Sequence, residues 1–170
     1  MQKLYLAGGC FWGTQHFLRQ FDGVLQTTVG YANGSTEHPT YEQVRYEHTG
    51  HTETVEVLYD ETVLPTRQLL DYYFMTIDPL SVNRQGEDEG ENYRTGIYYE
   101  DPALLPDILA VTEAKAQQLG QPLAVEIGTL LQFFPAEDYH QDYLIKHPTG
   151  YCHISPKLMR LARAKKEEGQ

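Results

Sequence analysis

Two cysteines among 170 residues are too few to staple a fold, and a chain of this length can bury a core without staples. Long apolar runs are missing too: no stretch approaches the roughly 18 consecutive residues of a membrane span, so a soluble protein is expected. Met1 to Ala7 has no apolar h-region and no small-residue cleavage pattern, which makes a cytoplasmic location the expectation. Positive charge is short as well, with 13 Lys and Arg against 24 Asp and Glu, and the net charge of −11 repels nucleic acid and anionic lipid. Neither partner is expected. The basic cluster from Arg160 to Lys166 reads as the polar face of a terminal helix. Internal repeats and low-complexity tracts are absent. One folded unit is expected, with a core over about 1–130 and a C-terminal segment over about 131–170.

What is present is an interspersed series of strand and helix patterns. Lys3 to Ala7 reads as a short strand, broken by Gly8 and Gly9, and a helix follows from about Trp12 to Phe21. Val24 to Ala32 is a second strand, and Thr54 to Asp60 a third, with Val55, Val57 and Tyr59 alternating onto one face. A helix over Thr66 to Met75 carries Leu69, Leu70, Tyr73 and Phe74 at helical spacing and ends at Ile77, Asp78 and Pro79. Ser81 to Asn92 is polar and follows neither period. Next come a strand over Tyr93 to Tyr99, a helix over Pro102 to Leu119 with Leu104, Leu105, Ile108, Val111 and Thr112 inward, and a strand over Leu123 to Ile127. The chain ends with a short helix over Glu137 to Ile145, a loop over Lys146 to His153 and a helix over Pro156 to Lys166. Mixing of this kind predicts an α/β (α+β) fold in which helices pack on a single mixed β-sheet.

The segment Gly8, Gly9, Cys10, Phe11, Trp12, Gly13 is the most informative. Its glycines permit a sharp turn, and the helix start that follows points unsatisfied amide hydrogens and a positive dipole end at the Cys10 sulfur. A thiolate, the reactive form, is favoured there. Phe11 and the only tryptophan, Trp12, set two apolar surfaces beside that sulfur, which suits a small apolar substrate group, although aromatic pairs also pack in cores.

From Gly9 to Gly13 the sequence GCFWG resembles the signature of the A class of peptide methionine sulfoxide reductases. The resemblance continues through Gly50, His51, Thr52 and Glu53; Asn83 to Gly86 with Asp88; Tyr93 and Arg94; Ala136 to Gln141; and Gly150, Tyr151 and Cys152. It implies Cys10 as nucleophile, Phe11 and Trp12 as the pocket for the substrate methyl group, and Glu53 as the acid. It also implies Tyr41 and Tyr93 as hydrogen-bond donors to the sulfoxide oxygen, Asp88 as an aspartate near the nucleophile, and Cys152 as the recycling thiol. The substrate class is methionine sulfoxide, free or in peptides and proteins, taken as the S epimer, with thioredoxin as reductant. The implied fold is a ferredoxin-like core with a long C-terminal loop segment. A further tail cysteine that many members carry has no counterpart here, and a monomer is expected.

The residues suit that chemistry. A thiolate can attack a sulfoxide sulfur only if the oxygen is protonated or strongly hydrogen-bonded, so a neutral acid is required. Glu53 precedes the strand over Thr54 to Asp60 and shares the parity of Val55, Val57 and Tyr59, which points it to the apolar side, where burial keeps a carboxyl protonated. After attack Cys10 holds the oxygen as a sulfenic acid, and Cys152 can condense with it once the alpha carbons come within about 7 Å. Such a disulfide is transient and suits a reducing compartment. Two other readings fit an activated cysteine, a thiol peroxidase and a cysteine hydrolase, and a noncatalytic module binding methionine peptides is a third. A hydrolase needs a histidine base that no local signature nominates. The seven histidines, including His48 with His51 and His140 with His147, lack zinc-ligand spacing, so neither metal nor cofactor is expected.

Overall fold

Strand β1 (Gln2–Ala7) is apolar on both faces because both are covered: Leu4 and Leu6 face the helices, while Tyr5 and Ala7 face a smaller cluster on the other side. The computed structural model describes residues 1–168, with side chains to residue 165. After β1 come α1 (Phe11–Leu18), β2 (Val24–Ala32), α2 (Tyr41–Tyr46), β3 (Thr52–Tyr59) and α3 (Thr66–Phe74). A two-residue hairpin, β4 (Arg84–Gln85) with β5 (Asp88–Glu89), leads to β6 (Gly96–Tyr99), α4 (Leu105–Leu119), β7 (Glu126–Thr129), β8 (Phe133–Pro135), α5 (Tyr143–Lys146) and α6 (Pro156–Glu168). The main sheet runs β7-β6-β1-β3-β2-β8; β6 and β7 are parallel and the other neighbours antiparallel. The expected mixed sheet with packed helices is therefore present, and β4–β5 forms a small second sheet.

One face of the sheet carries the main core. Val29, Tyr31, Val55, Val57, Tyr59 and Ile97 pack there against Phe17, Leu18, Leu69, Leu70, Ile108 and Ala162 of the helices. Alternation extends this row along β3 to Glu53, which is paired across to Tyr31 of β2 and lies one residue beyond the last pair with β1, Ala7 with Thr54. The row's end is thus placed where the chain leaves β1 and turns into α1.

Several boundaries differ from the sequence reading for tertiary reasons. β3 begins at Thr52, two residues early, because pairing with β2 continues through Glu53 and Thr52. Tyr93 lies in a 3-10 turn over Glu91–Tyr93 rather than in a strand, and β6 starts only at Gly96, where pairing with β1 begins. The strand expected over Leu123 to Ile127 is shifted to Glu126–Thr129 by its register with β6. A single helix over Glu137 to Ile145 does not form: Asp142 takes a left-handed φ of 54° and separates a 3-10 turn over Asp138–His140 from α5. In α4, Ile108 and Val111 are buried, Leu104 is buried in the turn before it, and Leu105 and Thr112 are half-buried. On α6, Met159 and Ala162 face inward while Arg160, Arg163 and Lys165 are exposed; the Lys166 side chain lies outside the described residues. None of the described helices is long and apolar enough to cross a membrane.

Candidate active site

Cys10 caps the N-terminus of α1, and the turn that brings it there has firm anchors. Gly9 adopts φ +72°, a left-handed conformation that favours glycine. Its amide donates to the Tyr93 carbonyl (3.1 Å), the Thr14 hydroxyl donates to the Gly8 carbonyl (3.3 Å), and the Tyr73 hydroxyl donates to the Ala7 carbonyl (2.5 Å).

Glu53 is buried directly beneath, 1% exposed. Its Oε1 accepts the Phe11 amide at 3.3 Å and its Oε2 accepts Asn92 Nδ2 at 3.1 Å. Burial pushes this carboxyl up to about 8, against the opposing pull of those two hydrogen bonds, and the nearby Asp88 charge adds to the rise. Glu53 is therefore held mostly protonated near neutral pH.

The sequence argument that a helix start favours a Cys10 thiolate is not sustained. Burial raises the Cys10 thiol well above its ordinary value, the Glu53 charge adds to it, and the hydrogen bond from the Trp12 amide only partly offsets them. The helix amides and dipole act locally, whereas desolvation at 7% exposure acts on the whole sulfur and is larger here. The resting residue is a neutral thiol.

Apolar walls stand beside the sulfur. The buried Phe11 ring lies 5.8 Å from Tyr31 and 5.2 Å from His140. Trp12 is half-buried, stacks on Tyr143 at 3.7 Å and 9°, and donates its indole Nε1–H to His140 Nδ1 at 3.0 Å. Two contacts thus fix both the plane and the direction of the indole. The half-buried Tyr41 ring sits 4.7 Å from His140, and its hydroxyl accepts from Arg45 at 2.9 Å. Tyr93 is 7% exposed, and burial followed by the Glu53 and Tyr41 charges raises its hydroxyl, so these groups share one electrostatic neighbourhood. Asp88 is half-buried, accepts the Tyr151 hydroxyl at 3.0 Å, and its charge is felt at Cys10 and Glu53.

Cys152 lies in the loop between α5 and α6, half-buried, with its sulfur over the first turn of α1. A β-carbon placed on Gly13 would be 3.0 Å from that sulfur, so the last glycine of GCFWG clears the space the second thiol occupies. Both cysteines are free. Burial raises the Cys152 thiol, and its charge is felt at Cys10. A cavity of about 530 Å³ opens beside Cys152, walled by Leu144, Gly150, Ile154, Met159 and Arg163, and Cys10 is not part of its wall.

This arrangement of thiol, buried neutral acid and aromatic walls accompanies a match over nearly the whole sequence: residues 2–170 fit the family model described as peptide methionine sulfoxide reductase. The chain belongs to that family. It is 53% identical over 153 residues to the peptide methionine sulfoxide reductase MsrA of Lachnoclostridium phytofermentans, covering 90% of this chain and 92% of that protein. Among solved structures it is similar to Mxr1 from Saccharomyces cerevisiae in reduced form, with TM-score 0.85, 35% identity and 91% of each chain covered. It is also similar to Mxr1 in complex with Trx2, at TM-score 0.59, 27% identity and 84% of each chain.

All eight residues nominated from this family member's sequence, Cys10, Phe11, Trp12, Tyr41, Glu53, Asp88, Tyr93 and Cys152, surround one region. The sequence reading missed the groups that hold them. Asn92 fixes Glu53, and Tyr143 and His140 fix Trp12. Glu137 accepts the Tyr31 hydroxyl at 2.8 Å and the Tyr41 amide at 3.2 Å, joining α2 to the sheet. His140 and Glu137 lie in the stretch Ala136 to Gln141 that carries the family resemblance, a signal that marked the segment without assigning roles. Tyr143 and Asn92 had no such signal.

Proposed function

We propose that this chain reduces the S epimer of methionine sulfoxide, free or within peptides and proteins, using Cys10 as nucleophile, Glu53 as acid and Cys152 as resolving thiol. One observation carries the reading: a fully buried carboxyl is hydrogen-bonded to the residue that follows a cysteine at a helix start, and its burial favours the protonated form. A buried neutral acid beside a thiol suits a reaction that must protonate a poor leaving oxygen.

The substrate methyl group rests against Phe11 and Trp12, and the sulfoxide oxygen is directed to Glu53 and to the hydroxyls of Tyr41 and Tyr93. Asp88 adds negative charge nearby and holds the Tyr151 hydroxyl. The Cys10 sulfur attacks, the substrate sulfur–oxygen bond breaks, methionine leaves as the thioether, and the oxygen stays on Cys10 as a sulfenic acid. Glu53 gives its proton to the oxygen as charge develops and regains one from the Cys10 thiol. Holding both groups neutral at rest keeps the protons the step needs inside the site and avoids burying two negative charges together.

Cys152 then attacks the sulfenic sulfur, forming the Cys10–Cys152 disulfide and releasing water. A dithiol reductant of the thioredoxin type exchanges with that disulfide and takes up the oxidation. The similarity to Mxr1, solved in complex with Trx2, supports this choice of reductant, and the cavity beside Cys152 offers an approach separate from the Cys10 side. The chain acts as one catalytic domain, as a monomer, in the cytoplasm, where a reducing pool keeps both thiols available. The experiment is to give each purified sulfoxide epimer to the protein with thioredoxin, thioredoxin reductase and NADPH. Methionine from the S epimer alone is expected; none from either epimer overturns the reading.

A further inference from the structure

His153 fills the space that the two glycines flanking Cys10 leave open. A β-carbon on Gly9 would be 3.1 Å from its Nε2, and one on Gly13 would be 3.1 Å from its Nδ1, so the imidazole spans the gap between them. The same point at Gly13 is 3.0 Å from the Cys152 sulfur. Imidazole, resolving thiol and the turn carrying Cys10 therefore converge on one small volume.

Both ring nitrogens of His153 are sealed from water, neither makes a hydrogen bond of full geometry, and the Thr76 carbonyl is the backbone acceptor near the ring. Buried polar atoms in native proteins are almost always paired, so a sealed imidazole with a nitrogen left over beyond the Thr76 carbonyl requires a reason. Packing does not supply one, since an apolar ring would fill the same gap without leaving polar atoms unmatched. Burial holds the imidazole below its ordinary value, against opposing effects of the Asp88 charge and the Thr76 carbonyl, so the ring is a neutral base with a free lone pair. The charged group facing it is Asp88 from the β4–β5 hairpin, and the Cys152 thiol of its own loop lies by the same point over Gly13. Cys152 needs a base: its thiol is raised by burial, and only its thiolate attacks well.

We propose that His153 is the general base of the resolving step, an inference that rests on the reading that Cys10 carries the oxygen after the first step. His153 takes the thiol proton from Cys152 as that sulfur attacks the Cys10 sulfenic sulfur. The sulfur–oxygen bond breaks as the disulfide bond forms, and the proton passes from the imidazole to the departing hydroxyl, which leaves as water. No external oxidant or reductant enters this step.

The test is a single turnover with the S epimer and no reductant, in which methionine release and loss of free thiols are timed separately for the unaltered protein, His153→Gln and His153→Ala. Methionine release is expected to stay close to the unaltered rate while disulfide formation slows about 100-fold, the lower end of general-base effects. Added imidazole is expected to restore much of the disulfide rate in His153→Ala, because the vacated gap admits the free base. Disulfide formation at the unaltered rate in both variants overturns the proposal. So does a slowing that imidazole leaves untouched, or an equal slowing of both steps, either of which makes the ring a packing residue. Absence of methionine release in the unaltered protein strikes instead at the proposed reaction.

Discussion

Glu53 and Phe11 are joined by a hydrogen bond from the Phe11 amide to the Glu53 carboxyl at 3.3 Å. Among the described residues Glu53 is the one carboxyl-bearing side chain in the buried set, and it is fastened to the residue after Cys10. One of the free amides at the start of α1 is thus taken by the acid, which helps explain why the helix start fails to hold Cys10 as a thiolate.

Replacing Glu53 by glutamine keeps an acceptor for the Phe11 amide and removes the transferable proton. Methionine formation in a single turnover is expected to slow roughly 100-fold or more. In the unaltered protein the same rate is expected to fall as pH rises through about 8, where Glu53 loses its proton, and that fall is expected to be missing from the variant. Rapid-quench measurements across the pH range check both.

The same carboxyl sets a stability trend. Its folded value of about 8 lies above the ordinary 4.5, so the folded state binds the extra proton between those values. The stability linked to that proton is fully present below about 4.5 and is lost as pH rises through about 8. Urea unfolding is expected to show Glu53→Gln gaining on the unaltered protein across this window, by at most about 1.4 kcal/mol per pH unit.

Cys152→Ser removes the resolving thiol and leaves the site around Cys10 intact. One methionine per chain is expected, after which the protein stalls with an oxygen on Cys10, visible by mass spectrometry of the intact chain. Repeated turnover of this variant with thioredoxin takes the resolving role away from Cys152.

Gly13→Ala probes the close approach of Cys152 to α1. The added methyl group would begin 3.0 Å from the Cys152 sulfur, so the loop must shift outward. Disulfide formation is expected to slow several-fold while the first methionine is released normally. Alanine is favoured over glycine in a helix by roughly 0.5–1 kcal/mol, which offsets part of the crowding and keeps the melting temperature near that of the unaltered protein.

Much of this site was readable from the residue order. Strands β1 and β2 are legible as short apolar stretches, helix α3 follows its helical period, and the inward direction of Glu53 follows from its parity with Val55, Val57 and Tyr59. What escaped depends on distant partners. Phe133–Pro135 is a strand because it pairs with Gly30, Tyr31 and Ala32, a contact that three residues cannot announce. The break at Asp142 is a backbone conformation that apolar spacing does not encode. The protonation state of Cys10 is not legible in the sequence because helix-start effects are local, while burial comes from elements far along the chain. His153 carried no pattern at all: its place between Gly9 and Gly13 exists only once the C-terminal loop folds back over α1.

The roles of the two cysteines are tested by mixing fully reduced protein with the S epimer in the absence of any reductant, then counting methionine and remaining thiols. One methionine per chain, loss of both free thiols, and a peptide map with Cys10 joined to Cys152 are expected. Methionine formed while both thiols remain free, or none formed at all, would contradict those roles.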